Sequence, residues 1–150
     1  MNPTLSRYSR HELSAEVGVS GQNKLRSARV LRVGAGGLGL PVISYLAAVG
    51  IGTIRIVDYE RVDITNLQRQ MIHTESSIGE LITVNAANYV SRLSSAVQAN
   101  LYSERLSEVS GIETMRNYDI VIDGSDNFST RYLVSDACAA ALLFVLVKNR

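Results

Sequence analysis

The stretch VLRVGAGGLG, residues 30–39, limits the folds open to this chain more than any other. An apolar run ends in three glycines at G-x-G-x-x-G spacing, Gly34, Gly36 and Gly39, with Gly37 wedged between them. Glycine at such a turn removes the Cβ atoms that would keep a phosphate from the backbone N–H groups, and the turn carries a strand into a helix N-terminus where anions bind. The pattern has meaning only inside a strand–turn–helix–strand unit. The flanking residues predict one: a short apolar strand over 29–33, a small-residue helix over 37–49 with Pro41 tolerable in its first turn, and the β-branched strand TIRIVD over 53–58.

The rest of the chain continues the alternation. Ser9 is placed to cap a short helix through HELSAEV, and GQNKLRSA (21–28) predicts a second. A polar loop covers 59–70. Residues 77–95 carry Ile78, Ile82, Ala86, Tyr89 and Leu93 on one stripe of an amphipathic helix. Strands are predicted at 96–102, 118–124 and 142–147, and helices at 104–116 and 127–141. Strands alternating with helices imply an α/β fold: a Rossmann-like, doubly wound, mainly parallel sheet with helices on both faces, because parallel strands need right-handed crossovers. We divide the chain into an N-terminal helical segment, 1–28, and a Rossmann-like core, 29–147. In such a sheet ligands sit at the carboxyl ends of the strands where the winding reverses. The loops after the first and fourth strands, GAGGLG and DGSDN (123–127), should flank that crevice.

Composition narrows the partners. The chain has 150 residues, 46% hydrophobic and 19% charged, as expected for one ordinary globular domain. A net charge of +1 provides no global field for nucleic acid or an anionic membrane, so neither is expected as a partner. No apolar run reaches the ~20 residues of a membrane span, and MNPTLSRYSR lacks a signal-peptide core; the expectation is a cytoplasmic protein. Cys138 is the only cysteine, so neither an internal disulfide nor a thiolate zinc cluster is expected. Of the 15 basic residues only Lys24 and Lys148 are lysines, and the other thirteen are arginines.

Asp58 closes the second strand, where an acid accepts hydrogen bonds from a ribose; a solvated strand end or a cap is the plainer reading of the same residue. The glycines and Asp58 alone do not separate NAD from ATP. The loop DITNLQRQ (63–70) does, since a dinucleotide oxidoreductase has no use for Asn66 and Arg69 there, whereas the fixed fork of arginine suits a triphosphate.

RYSRH at 7–11, GAGGLG at 34–39, VDYERVDITNLQRQ at 57–70 and DGSDN at 123–127, in this order, closely resemble the adenylation domain of the ThiF/MoeB/HesA-type family that activates ubiquitin-like proteins. The members most similar are the molybdopterin-synthase adenylyltransferases, and SDNFSTRYLVSDAC (125–138) favours the eukaryotic type that also carries a sulfurtransferase domain. The resemblance runs from residue 7 to about 140 and implies that 1–150 is a partial ATP-binding adenylation domain. It implies ATP-dependent adenylation of the C-terminal glycine of a small ubiquitin-like sulfur carrier, for molybdenum cofactor biosynthesis or tRNA thiolation. The glycine turn with Gly37 would hold the nucleotide, Asp58 its ribose, and Asn66 and Arg69 the phosphates. The neighbours Thr65, Leu67, Gln68 and Asn127 belong to the same binding set. Asp126 would hold Mg²⁺, a hard cation that takes a carboxylate and phosphate oxygens. Arg10 matches an arginine that family members supply across a homodimer interface.

The pattern also fails in three places. The family sets a lysine at the position of Ile82, and no lysine lies between Lys24 and Lys148 to replace it, so impaired catalysis is expected. Losing one such cation costs about 10²–10³ in rate, by analogy with other preorganised sites. Arg32 stands in the middle of a strand expected to be buried, where the family carries an aliphatic residue. Finally, LLFVLVKNR departs from a glycine-containing family turn, which favours a truncated chain with an exposed, aggregation-prone edge strand. The alternatives are an NAD- or FAD-binding oxidoreductase domain, and a catalytically dead nucleotide-binding or carrier-docking module.

Overall fold

The computed structural model describes residues 7–147. Five strands, β1 (Arg29–Val33), β2 (Thr53–Val57), β3 (Gln98–Tyr102), β4 (Ile120–Asp123) and β5 (Phe144–Val147), form one sheet in the order β3-β2-β1-β4-β5. Every pairing is parallel, with Val30 opposite both Ile54 and Ile120. The winding reverses at β1, so the loops after β1 and β4 lie side by side, as the predicted topology requires.

The three central strands are covered on both faces. On one, α3 (Gly39–Val49) and α4 (Ile82–Leu93) pack over Val30, Ile54 and Ile56. On the other, α5 (Glu108–Met115) and α6 (Phe128–Ala141) pack over Leu31, Val33 and Val121. Ile54 and Ile56 are both sealed from solvent, each contributing roughly 1.5–3 kcal/mol of apolar burial. Cys138 is buried in the second cluster, its thiol directed at the Met115 sulfur at 3.6 Å, and burial pushes its pKa up.

Two short helices, α1 (Ser9–Leu13) and α2 (Gly18–Ser27), precede the sheet. They dock through Tyr8, which is buried against Gly50, and through Gln22, which donates to Val49 O and pairs with His11. Ser9 lies inside α1 rather than capping it, and the helix stops at Leu13 instead of running to residue 17. Ser14 turns the chain there, its hydroxyl donating to Glu16 and accepting from the Glu16 N–H.

Two other boundaries move for physical reasons. The helix expected from residue 77 starts at Ile82, because residues 79–81 are tied to the loop beyond β2. Gly79 donates to Val62 O, Val62 to Glu80 O, and Gly79 takes a φ of +88°. Ile78 is therefore outside the helix and exposed, and the buried stripe is Ile82, Ala86 and Val90. At the far end, α6 closes on Leu142 in the left-handed region, φ 56°, so β5 begins at Phe144 rather than 142. Phe144, Leu146 and Val147 are exposed along that edge strand.

Candidate active site

The first turn of α3 begins directly after the glycine turn, leaving backbone N–H groups without intrahelical acceptors. Beside it opens a cavity of about 550 Å³ at the carboxyl end of the sheet, within the range of small-ligand sites. Gly34, Gly36, Gly37 and Leu38 form one wall and Gly124, Ser125, Asp126 and Asn127 another. Asp58, Tyr59 and Glu60 follow β2, Asn66, Arg69 and Gln70 come from the loop beyond, and Glu104, Arg105 and Leu106 follow β3.

Close approach of the two central loops depends on Gly34. Its φ is +78°, and a Cβ there would stand 3.1 Å from the backbone of Gly124 and Ser125. Gly39 lines none of the cavity; it packs under the turn, where a Cβ would overlap the Gly34 carbonyl. The nearest atoms to a Cβ on Gly37 belong to the Arg69 side chain, at 3.5 Å, so Arg69 lies across the turn.

Asp58 ties the turn to its neighbours. One carboxylate oxygen accepts from Ala35 N–H at 2.7 Å and the other from Glu60 N–H at 2.9 Å. Each oxygen retains acceptor capacity toward the cavity. Asn66 closes a capping box with Asp63: its Oδ1 accepts from Asp63 N–H, and Asp63 accepts from Thr65. Arg69 is fixed by donating to Thr65 O at 2.8 Å. Thr65, Leu67 and Gln68 shape this loop without lining the cavity. Arg10 is exposed on α1 and lines none of its own chain's cavity. Ile82 is fully buried in the core, although its N–H donates to the carbonyl of the cavity residue Glu60.

Sequence reasoning passed over several lining residues, Tyr59, Glu60, Gln70 and Arg105 among them. Arg105 stacks on Tyr59, its guanidinium carbon 4.4 Å from the ring centre, and donates to the Tyr59 hydroxyl at 2.9 Å. Gln70 is buried, with its Oε1 lacking a partner among the described residues. Its proximity was signalled only by its place one residue beyond Arg69.

The lining carries four carboxylates, Asp58, Glu60, Glu104 and Asp126, against two guanidiniums, Arg69 and Arg105. Partial burial and the charges of Asp58 and Asp126 hold the Glu60 carboxyl above the usual carboxylate range, while Arg105 opposes them. Asp126, like Glu60 and Glu104, is exposed on the cavity wall. Among the described residues no group of three or more His, Cys, Asp or Glu side chains is arranged to hold a metal ion.

Fold and cavity together define a Rossmann-like α/β domain with its largest opening at the topological switch point of the sheet. The chain belongs to the ThiF family, whose sequence profile matches residues 8–146. It is 44% identical over 137 residues to a probable adenylyltransferase/sulfurtransferase MoeZ of Mycobacterium tuberculosis, covering 91% of this chain and 35% of that protein. It is 47% identical over 135 residues to the adenylyltransferase and sulfurtransferase MOCS3 of Sus scrofa, covering 90% of this chain and 30% of that protein. The chain thus spans about a third of the length of the curated relatives it matches. Among solved structures, E. coli tRNA N6-threonylcarbamoyladenosine dehydratase TcdA in complex with ATP shares the fold, with a TM-score of 0.90 at 20% identity. That match covers 98% of this chain and 60% of the other. E. coli MccB, solved with AMPCPP and MccA, gives a TM-score of 0.84 at 26% identity, covering 95% and 44%.

Proposed function

We propose that this chain is the ATP-binding part of an adenylyltransferase that acts on the C-terminal glycine carboxylate of a small ubiquitin-like sulfur carrier, in molybdenum cofactor biosynthesis or tRNA thiolation in the cytoplasm. The observation that carries this reading is one cavity uniting the glycine turn, Asp58, the Asn66–Arg69 loop and Asp126. A dinucleotide-binding oxidoreductase explains the first two and leaves the others without a role.

In this reading the N–H groups of the glycine turn and α3 hold the phosphates, and Asp58 accepts from the ribose hydroxyls. Arg69, anchored on Thr65 O across Gly37, meets the charge that grows on the phosphates as the carrier's carboxylate oxygen bonds to the α-phosphorus and the bond to pyrophosphate breaks. Asn66 keeps its amide N–H₂ for the same groups while its oxygen holds the loop. A Mg²⁺ ion shared between Asp126 and phosphate oxygens would neutralise charge that the four wall carboxylates otherwise repel. Arg10, exposed on α1, is the residue proposed to reach a partner's nucleotide in a homodimer.

The burial of Ile82 favours a second reading, a nucleotide-binding module slow or inert in adenylation, because the cavity has no cation from α4. Radiolabelled pyrophosphate exchange into ATP, with a glycine-ended carrier, separates the two. Adenylation predicts exchange that needs the terminal glycine, is lost in Asp126→Ala, and rises about 10²-fold in Ile82→Lys. ATP binding without exchange in either wild type or Ile82→Lys supports the inert module. Saturable NADH binding that ATP cannot displace overturns both.

A further inference from the structure

Among the described residues Arg32 is the largest side chain sealed from solvent, 2% exposed, and it lies beneath the two loops that wall the cavity. Its Nη1 donates to Val33 O at 2.9 Å and Ile122 O at 2.8 Å, the strand ends from which the two central loops depart. Its Nη2 sits 3.1 Å from the place of a Cβ on Gly39, under the glycine turn, and occupies the space that a Cβ on Gly124 would need. Its Nε has no hydrogen-bond partner, and no carboxylate forms a salt bridge with it among the described residues. Burial pulls its pKa down to about 10, with Asp123 and Asp58 supporting the charge, so it remains a cation at neutral pH.

A buried, incompletely bonded guanidinium is costly, and an apolar side chain at such a position is commonly neutral or stabilising. The charge therefore calls for a compensating use. Resting on the nucleotide reading above, we propose that Arg32 is a positioning residue for polyphosphate. It supplies fixed positive charge from below the turn between Gly34 and Gly39, in a site whose walls are predominantly acidic. Because the group is out of water, its field reaches the site with little screening by salt.

The test is isothermal titration of the whole chain with ATP, ADP, AMP and adenosine in Mg²⁺ buffer, for wild type, Arg32→Met and Arg32→Lys, beside thermal melts without ligand. Arg32→Met keeps the length and removes the charge. It should weaken ATP about tenfold or more, AMP less and adenosine under twofold, while its Tm is unchanged or higher. Arg32→Lys should retain most of the ATP preference over adenosine. Equal weakening of all four ligands, or an unchanged ATP-to-adenosine ratio, makes Arg32 a structural clamp and overturns the proposal. Should Arg32→Met fail to fold, Arg32→Leu, apolar and shorter, must produce the same selective loss of ATP, and its failure to do so is equally decisive. Wild-type protein that binds none of the four refutes the nucleotide reading itself, a result distinct from normal binding with an indifferent Arg32.

Discussion

Asp58→Asn alters almost nothing in shape and separates two roles of one carboxylate. In the native chain its oxygens accept from Ala35 and Glu60 N–H groups at 2.7 and 2.9 Å, holding the glycine turn against the end of β2. Asparagine keeps one acceptor and sets an N–H₂ against the other donor. A hydrogen bond to a charged acceptor contributes about 1.5–3 kcal/mol, and a donor left unpaired costs about 1–3 kcal/mol when buried. Asp58 is half-buried, so water relieves part of the second cost, and the expected loss is about 2–3 kcal/mol. For a chain of this size that lowers Tm by roughly 4–12 °C. Urea unfolding without ligand measures the structural part. Titration with ATP and with 2′,3′-dideoxy-ATP, well below the melting range, measures the other. If Asp58 also accepts from the ribose, the substitution weakens ATP at least tenfold and the dideoxy analogue much less. A stability loss under about 0.5 kcal/mol would refute the account of the carboxylate as the tie between the loops. Equal effects on both nucleotides would refute its contact with ribose.

Leu142→Gly should stabilise the chain by about 0.5–1 kcal/mol, read by thermal or urea denaturation, since a side chain at φ 56° is strained by ~1–2 kcal/mol and Leu142, 93% exposed, has little burial to lose. A lower Tm would contradict this. Glu60 gives a pH signature. Its carboxyl is raised in the folded chain, so the native state holds that proton to higher pH than the unfolded chain does, and stability falls as pH rises through the folded value. Glu60→Gln removes that slope, and its stability relative to wild type should grow as pH rises above the ordinary glutamate range. Parallel pH–stability curves would count against carboxylate crowding at this wall.

β1, β2 and β4 were legible because each is a short run rich in β-branched residues, and parallel order followed from the helices between them. The approach of the loops after β1 and β4 was legible for the same reason: topology alone places them together, and the Gly34–Gly124 contact realises it. The start of α4 was not, because Ile78 continues the helical stripe while the pairing of residues 79–81 with the loop beyond β2 is a long-range event. Arg105 was missed on similar grounds. Only the adjacency of β3 to β2 brings it onto Tyr59, 46 residues earlier. Arg32 was visible as an anomaly, but its solution, carbonyls from two strand ends and the vacancy at Gly124, exists only in three dimensions.

That vacancy imposes an order on change. With any side chain at 124 the guanidinium of residue 32 has no room, whereas glycine at 124 is compatible with an aliphatic residue at 32. A substitution route from valine or leucine at 32 to arginine therefore passes first through glycine at 124. The reverse route must clear position 32 before position 124 regains a Cβ. The two sites are thus epistatic in one direction, and reconstructing both single intermediates would show one tolerated and one not.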